Sequence, residues 1–281
     1  MIAMPTAAGE SSIEVLRPEF RRGQFRAVLF DFDGTLSLIR RNWQNVMIPM
    51  MVDMLAATGT DEPRDDLAAH VEEFVMRLNG RQTIYQMMQL ADEVRLRGGQ
   101  PREPVEYKHQ YHDLLWRQIG HRVEGLKSGT LTAEELTVPQ SHRLLERLRE
   151  RGLTLYLASG TDLKYVRDEA ASLGVAEFFG PHIYGALDNF QDFSKAKIIQ
   201  QIIAEMGVSG DQLLAFGDGF VEIEEIRRVG GLAIGVASEE EARQGVNGWK
   251  RERLIRAGAD IIIGDYRCQD DLLTLLGLAA P

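Results

Sequence analysis

Five short apolar runs constrain this chain most. Each stops at small or acidic residues, and helix-like spacing follows: Ala27 to Phe30, Leu153 to Leu157, Leu213 to Phe216, Leu232 to Val236 and Ile261 to Ile263. Runs this short and apolar suit strands covered on both faces, and their alternation with helices predicts a parallel α/β sheet. After the second run, Leu163, Val166, Ala170 and Leu173 share one helical face and lead to Gly174. After the third, Ile223, Ile226 and Val229 lead to Gly230 and Gly231, and in both cases a glycine closes the predicted helix.

Between the first and second runs lie more than a hundred residues without a convincing strand. Helical periodicity appears there in Val46 to Ala57, Leu67 to Leu78, Ile84 to Leu96 and Tyr107 to Ile119. This stretch reads as an inserted helical unit over residues 41–137, which assigns residues 1–40 and 138–281 to the sheet-bearing core. A length of 281 residues agrees with two domains or one domain with a large insertion. At the start of the chain, Ile13 to Leu16 and Phe25 to Phe30 flank Arg21-Arg22-Gly23, the pattern of a hairpin that adds an edge strand.

Thirty-two Lys and Arg against 42 Asp and Glu leave a net charge of −10, which disfavours nucleic acid and anionic lipid as partners. Cys268 is the single cysteine, so no intrachain disulfide forms, and a reducing cytoplasm is the expected compartment. Residues 1–12 have neither the basic start nor the apolar length of a signal peptide, and no 18-residue apolar run occurs. The Glu239-Glu240-Glu241 run is expected to be a solvated helix start.

The first run ends in Asp31-Phe32-Asp33-Gly34-Thr35, which puts two carboxylates at the carboxyl edge of the sheet, where open α/β folds bind ligands. Taken alone, the same residues also suit a turn. The third run leads to Asp218 and Glu222, a second acidic pair that alone also suits a capped helix start. If the pairs converge, like charges about 4 Å apart cost roughly 4 kcal/mol per pair at an effective dielectric near 20. A cation must offset that, and an all-oxygen donor set without Cys or His points to magnesium rather than zinc. Ser159, followed by Gly160 and Thr161, is expected at the end of the second strand before a helix N-terminus that suits an anion. Lys195 opens a helix whose apolar face carries Ile198, Ile199, Ile202, Ile203 and Met206. A lysine there opposes the helix dipole, so it marks either a nearby anion or a solvated surface charge.

Asp31-Phe32-Asp33-Gly34-Thr35, Ser159, Lys195 and Gly217-Asp218-Gly219 with Glu222 stand in the order of the four motifs of the haloacid dehalogenase-like hydrolases, which the chain resembles from about Val28 to Val236. The stretch from Lys195 to Glu222 is similar to the phosphoserine-phosphatase branch, and the helical insertion to the phosphoglycolate-phosphatase and β-phosphoglucomutase branch. The resemblance implies a Rossmann-like core with an inserted helical cap, and a magnesium-dependent phosphatase acting on a small phosphorylated metabolite. It implies Asp31 as nucleophile, Asp33 as general acid and base, and Ser159 and Lys195 as phosphoryl contacts. Magnesium falls to Asp31, the Asp33 backbone carbonyl, Asp218 and Glu222. A cap of this size implies access for small metabolites and exclusion of folded phosphoproteins. Two departures stand out: Glu222 replaces the aspartate of many members, and the insertion holds no assignable substrate motif.

Gly160, Thr161, Arg40, Arg41 and Arg81 are candidate substrate contacts, the arginines being equally readable as exposed helix-end charges. His109 and His112 lie three apart without a third ligand nearby and read as solvated. Trp249-Lys250-Arg251-Glu252-Arg253 reads as a surface helix start, and Met47, Met50, Met51 and Met54 as a packing face. A phosphomutase using the same aspartyl-phosphate and a catalytically silent binding protein are the alternatives. A dinucleotide-dependent oxidoreductase is disfavoured because Glu222 stands where its glycine fingerprint needs glycine.

Overall fold

The computed structural model describes residues 2–3, 13–187 and 189–278, so most of the leader-region reading over residues 1–12 lies outside the described residues. The chain divides into two compact units, residues 1–41 with 125–281, and residues 42–124. The second border falls inside a long helix rather than at residue 137, because that helix continues from the inserted unit back into the core.

The larger unit is an α/β domain on an eight-stranded sheet. In chain order its strands are β1 (Ile2–Ala3), β2 (Glu14–Val15), β3 (Ala27–Phe30), β4 (Thr154–Asp162), β5 (Ile183–Ala186), β6 (Leu213–Gly217), β7 (Leu232–Val236) and β8 (Ile261–Ile263). Their order across the sheet is β1-β2-β8-β7-β6-β3-β4-β5, and β3 through β8 are parallel. Every residue of β3, β6, β7 and β8 is buried, as strands covered on both faces require. Phe30 and Phe216 stack at 4.8 Å between ring centroids, which locks the two central strands together near the ends from which the acid-bearing loops leave.

Two expectations for this unit are corrected. Glu14–Val15 pairs antiparallel with β8 and not with β3, so no hairpin forms around Arg21-Arg22-Gly23. The chain instead crosses the sheet before entering β3, because the centre of the sheet is already taken by β4 and β6 flanking β3. The second strand runs to Asp162 rather than ending at Leu157, and its pairing with β5 shifts register between Ala158 and Asp162. Four steps along β4 match two along β5, so residues 159–161 form a bulged stretch that re-aims their side chains. β5 itself is a strand that the short Ile183-Tyr184-Gly185-Ala186 segment did not announce.

The core helices include α5 (Ser141–Glu150), α6 (Leu163–Ser172), α7 (Ala176–Phe179), α8 (Lys195–Met206), α9 (Phe220–Arg228), α10 (Gly248–Ala257) and α11 (Gln269–Leu275). Gly174, with φ +69°, follows α6 as the glycine signal predicted. The Glu239–Glu241 run opens a turn and not a helix.

The smaller unit is helical: α1 (Gln44–Ala56), α2 (Arg64–Leu78), α3 (Thr83–Leu96) and the first part of α4 (Pro104–Ser128). Burial follows the helical repeat, with Leu67, Val71, Phe74 and Val75 on α2 and Tyr107, Tyr111, Leu115, Ile119 and Val123 along α4. Met47, Met50 and Met51 are buried and Met54 is half-buried, as a packing face requires. His109 is exposed, as a solvated reading requires, but His112 is buried in the helical unit and is not solvated.

Candidate active site

β3 lies between β4 and β6 with Phe30 level with Leu157 on one side and Phe216 on the other. The next residues of these strands therefore emerge together at one edge, where the sheet order reverses direction, the usual ligand position in open α/β sheets. Asp31 leaves β3 with its backbone N–H still donated to the Phe216 carbonyl at 2.9 Å. The chain then folds into a tight loop in which Leu36 and Ser37 both donate N–H bonds to the Phe32 carbonyl. Gly34 adopts φ +73°, and a Cβ there would lie 2.2 Å from Asp218 Oδ2. Only glycine allows the loop after β3 and the loop after β6 to approach this closely. The Thr35 hydroxyl accepts the Asp218 N–H at 3.0 Å and ties the same two loops again.

Asp31, Asp218 and Glu222 offer carboxylate oxygens that all lie within 4.8 Å of one another. Lys195, at the start of α8 and buried, places Nζ 2.9 Å from Asp31 Oδ1 and 2.7 Å from Glu222 Oε2. Burial alone would lower the Lys195 pKa, but Asp31 and Glu222 outweigh it and raise it, so the ammonium stays charged. Burial pushes the Asp31 carboxyl above the ordinary range, Lys195 opposes this, and the charges of Glu222 and Asp218 add to it. The other Glu222 oxygen accepts the Gly219 N–H at 2.7 Å, so a wholly buried glutamate is held from both sides. The three carboxylates form a hard, all-oxygen donor set that fits a magnesium ion, with Asp33 not among them.

Asp33 faces the β4 bulge instead. Its Oδ2 accepts from the Thr161 hydroxyl at 2.9 Å and the Ser159 hydroxyl at 3.3 Å, and Ser159 Oγ in turn accepts the Thr161 N–H at 3.1 Å. Ser159 thus sits within β4 and not at a strand end before a helix, because the strand continues past it. The Asp33 Oδ1 makes no hydrogen bond and stands 3.8 Å from Arg40 Nε. Burial raises the Asp33 pKa to about 6, against the pull of Arg40, which suits a group that gives and takes protons near neutrality.

Arg40 is neither an exposed charge nor an open anion contact. Its Nε lies 3.1 Å from both oxygens of the buried Glu169 on α6, and its terminal nitrogen lies 2.6 Å from Oε1. Arg41 is half-buried in the same unit. Arg81 is exposed in the turn between α2 and α3, its guanidinium 5.9 Å from the Tyr85 ring centre, within the helical unit. Gly160 lies in the bulge between the two hydroxyls.

Sequence reasoning passed over one residue. Lys250 is buried on α10 rather than at the surface, with Nζ 2.8 Å from Asp218 Oδ2, 2.6 Å from Glu240 Oε1 and 3.0 Å from Ser238 Oγ. The signal that singled out Lys195 was present here too: Asn247 caps the helix and a lysine stands in its first turn, against the dipole.

The family model for haloacid dehalogenase-like hydrolases matches residues 25–230, well over half of the chain. The chain is a haloacid dehalogenase-like hydrolase. Solved structures with the same fold include a predicted phosphoglycolate phosphatase from Haemophilus somnus (16% identity, 89% of this chain and 98% of that one, TM-score 0.58). A HAD family hydrolase from Deinococcus radiodurans with bound phosphate and sodium shares 16% identity over 92% of this hydrolase and 99% of its own chain, at a TM-score of 0.54. A predicted phosphatase from Clostridium acetobutylicum also shares 16% identity, over 89% and 97%, with a TM-score of 0.54. No curated protein matches the sequence of this hydrolase. Among its described residues no helix is long and apolar enough to cross a membrane.

Proposed function

We propose that this hydrolase is a magnesium-dependent phosphatase of small phosphate monoesters that works through an aspartyl-phosphate on Asp31. One observation carries the reading: a strand-end carboxylate, Asp31, lies beside a buried ammonium and two further carboxylates, while a second acid, Asp33, is held apart on hydroxyl donors. Bound by Asp31, the Asp33 backbone carbonyl, Asp218 and Glu222, magnesium would supply positive charge that offsets repulsion between the nucleophile and a phosphate dianion. Asp31 attacks phosphorus, the bond to the leaving oxygen breaks, and Asp33 gives its proton to that oxygen. Asp33, now a carboxylate, then takes a proton from water as the water attacks the aspartyl-phosphate, which releases inorganic phosphate and restores Asp31. Lys195 sets a fixed positive charge beside the attacking carboxylate, where charge passes to the phosphoryl oxygens.

The motifs shared with the family support phosphate esters over haloacids, because Asp33 supplies the acid that dehalogenation does not need. The inserted helical unit occupies the sequence position of the family's cap, which favours a small metabolite over a folded phosphoprotein. A panel of small phosphate monoesters assayed for phosphate release tests the proposal. Release is expected with magnesium, loss with EDTA, and no turnover in a normally folded Asp31→Asn variant. Normal turnover by that variant refutes Asp31 as nucleophile, and isomerisation of a sugar phosphate without phosphate release would reassign the same site to a phosphomutase.

A further inference from the structure

Lys250 is a buried lysine that the proposed chemistry does not use. Each of two buried lysines bridges two carboxylates: Lys195 joins Asp31 to Glu222, and Lys250 joins Asp218 to Glu240. Three of those four acids form the oxygen cluster, and Glu240 is the one outside it. Among the described residues Glu240 therefore reaches the cluster through Lys250. The lysine also knits three loops together, since Ser238 receives a bond from Nζ at 3.0 Å and donates its hydroxyl to the Gly34 carbonyl at 2.6 Å. Asp218 is held by its backbone on Thr35 and by its carboxylate on Lys250.

We propose that Lys250 acts chiefly as the built-in counter-charge of Asp218, and that Glu240 sets how much of that charge Asp218 receives. Together they set how strongly the carboxylate cluster draws a divalent cation. The proposal rests on the reading of Asp31, Asp218 and Glu222 as a cation site. Its physical content is a pair of opposite signs. Removing the lysine charge leaves Asp218 more negative and strengthens its pull on a cation. Neutralising Glu240 frees the lysine for Asp218 alone and weakens that pull.

The test is titration calorimetry of the full chain with magnesium chloride alone, paired with melting midpoints in EDTA and in saturating magnesium. Lys250→Gln is expected to bind magnesium about 3- to 10-fold more tightly and to gain more in midpoint on adding magnesium than the unaltered protein. Glu240→Gln is expected to bind it more weakly by a similar factor, about 3- to 10-fold, and to gain less. A lysine that only packs or orients would lower affinity when removed, as loss of a ligand's supporting partner usually does. Weaker or unchanged binding in Lys250→Gln, or unchanged or tighter binding in Glu240→Gln, overturns the proposal. If Lys250→Gln does not fold, Glu240→Gln still decides the sign, with Lys250→Arg expected to keep the original affinity. Failure of the unaltered protein to bind magnesium overturns the cation site itself, a result distinct from the two above.

Discussion

Replacing Asp33 by Asn should stabilise the fold at neutral pH while removing the proposed acid. Burial raises this carboxyl from its ordinary 3.8 to about 6, so the folded state holds a proton that the unfolded chain has already released. A raised carboxyl pKa contributes stability that is fully present below 3.8 and lost as pH rises through about 6. At 1.36 kcal/mol per pH unit the full loss amounts to about 3 kcal/mol by pH 8. The side chain is 27% exposed, so water screens part of this. The amide would also place an N–H where Oδ1 makes no hydrogen bond, which takes back some of the gain. A net gain of about 1–2 kcal/mol remains, or roughly 2–8 °C in melting midpoint for a chain of this size. Thr161 and Ser159 keep an oxygen to bond, so the local geometry should hold. Midpoints of both proteins, measured in EDTA from pH 5 to pH 8, should diverge with rising pH, the Asn variant melting higher above pH 7. A difference that does not change with pH, or an Asn variant less stable at pH 8, would refute the claim that this carboxylate is held at a cost.

Two further perturbations probe the surroundings of the site. Arg40→Met should destabilise the fold by about 3–5 kcal/mol because it strands the buried Glu169 charge. The double variant Arg40→Met with Glu169→Leu should recover much of that loss in chemical denaturation, and an equally unstable double variant would show that the pair matters for another reason. Gly34→Ala should cost at least tenfold in kcat/KM with little change in KM, since its Cβ would collide with Asp218 Oδ2 at 2.2 Å and the φ of +73° disfavours a side chain. Steady-state kinetics at saturating magnesium would check it, and activity within twofold of the original would mean that the loop yields without moving Asp218.

Much of the architecture and the acidic part of the site were legible in the sequence because both depend on local order. An apolar run of four or five residues specifies a buried strand wherever it lies, and Asp31, Asp33, Asp218 and Glu222 follow such runs closely, so their placement at one sheet edge follows from parallel strands alone. Partners were not legible, because a charged side chain finds its neighbour through the whole fold. Arg40 read as well for an open contact as for a surface charge, and the structure gives it to Glu169. Lys250 looked like a surface helix start until α10 packed it beneath Asp218 and Glu240. Ser159 and Thr161 acquired their shared target only through the register shift between β4 and β5, which one strand's sequence does not encode. β2 likewise found β8 rather than its chain neighbour, since pairing depends on which sheet edge is open once the central strands have assembled. The sequence by itself determined which segments are buried and which acids stand at their ends. The tertiary structure decided which lysine balances which acid, because the Coulomb energy of a buried charge depends on distances that only the assembled fold sets.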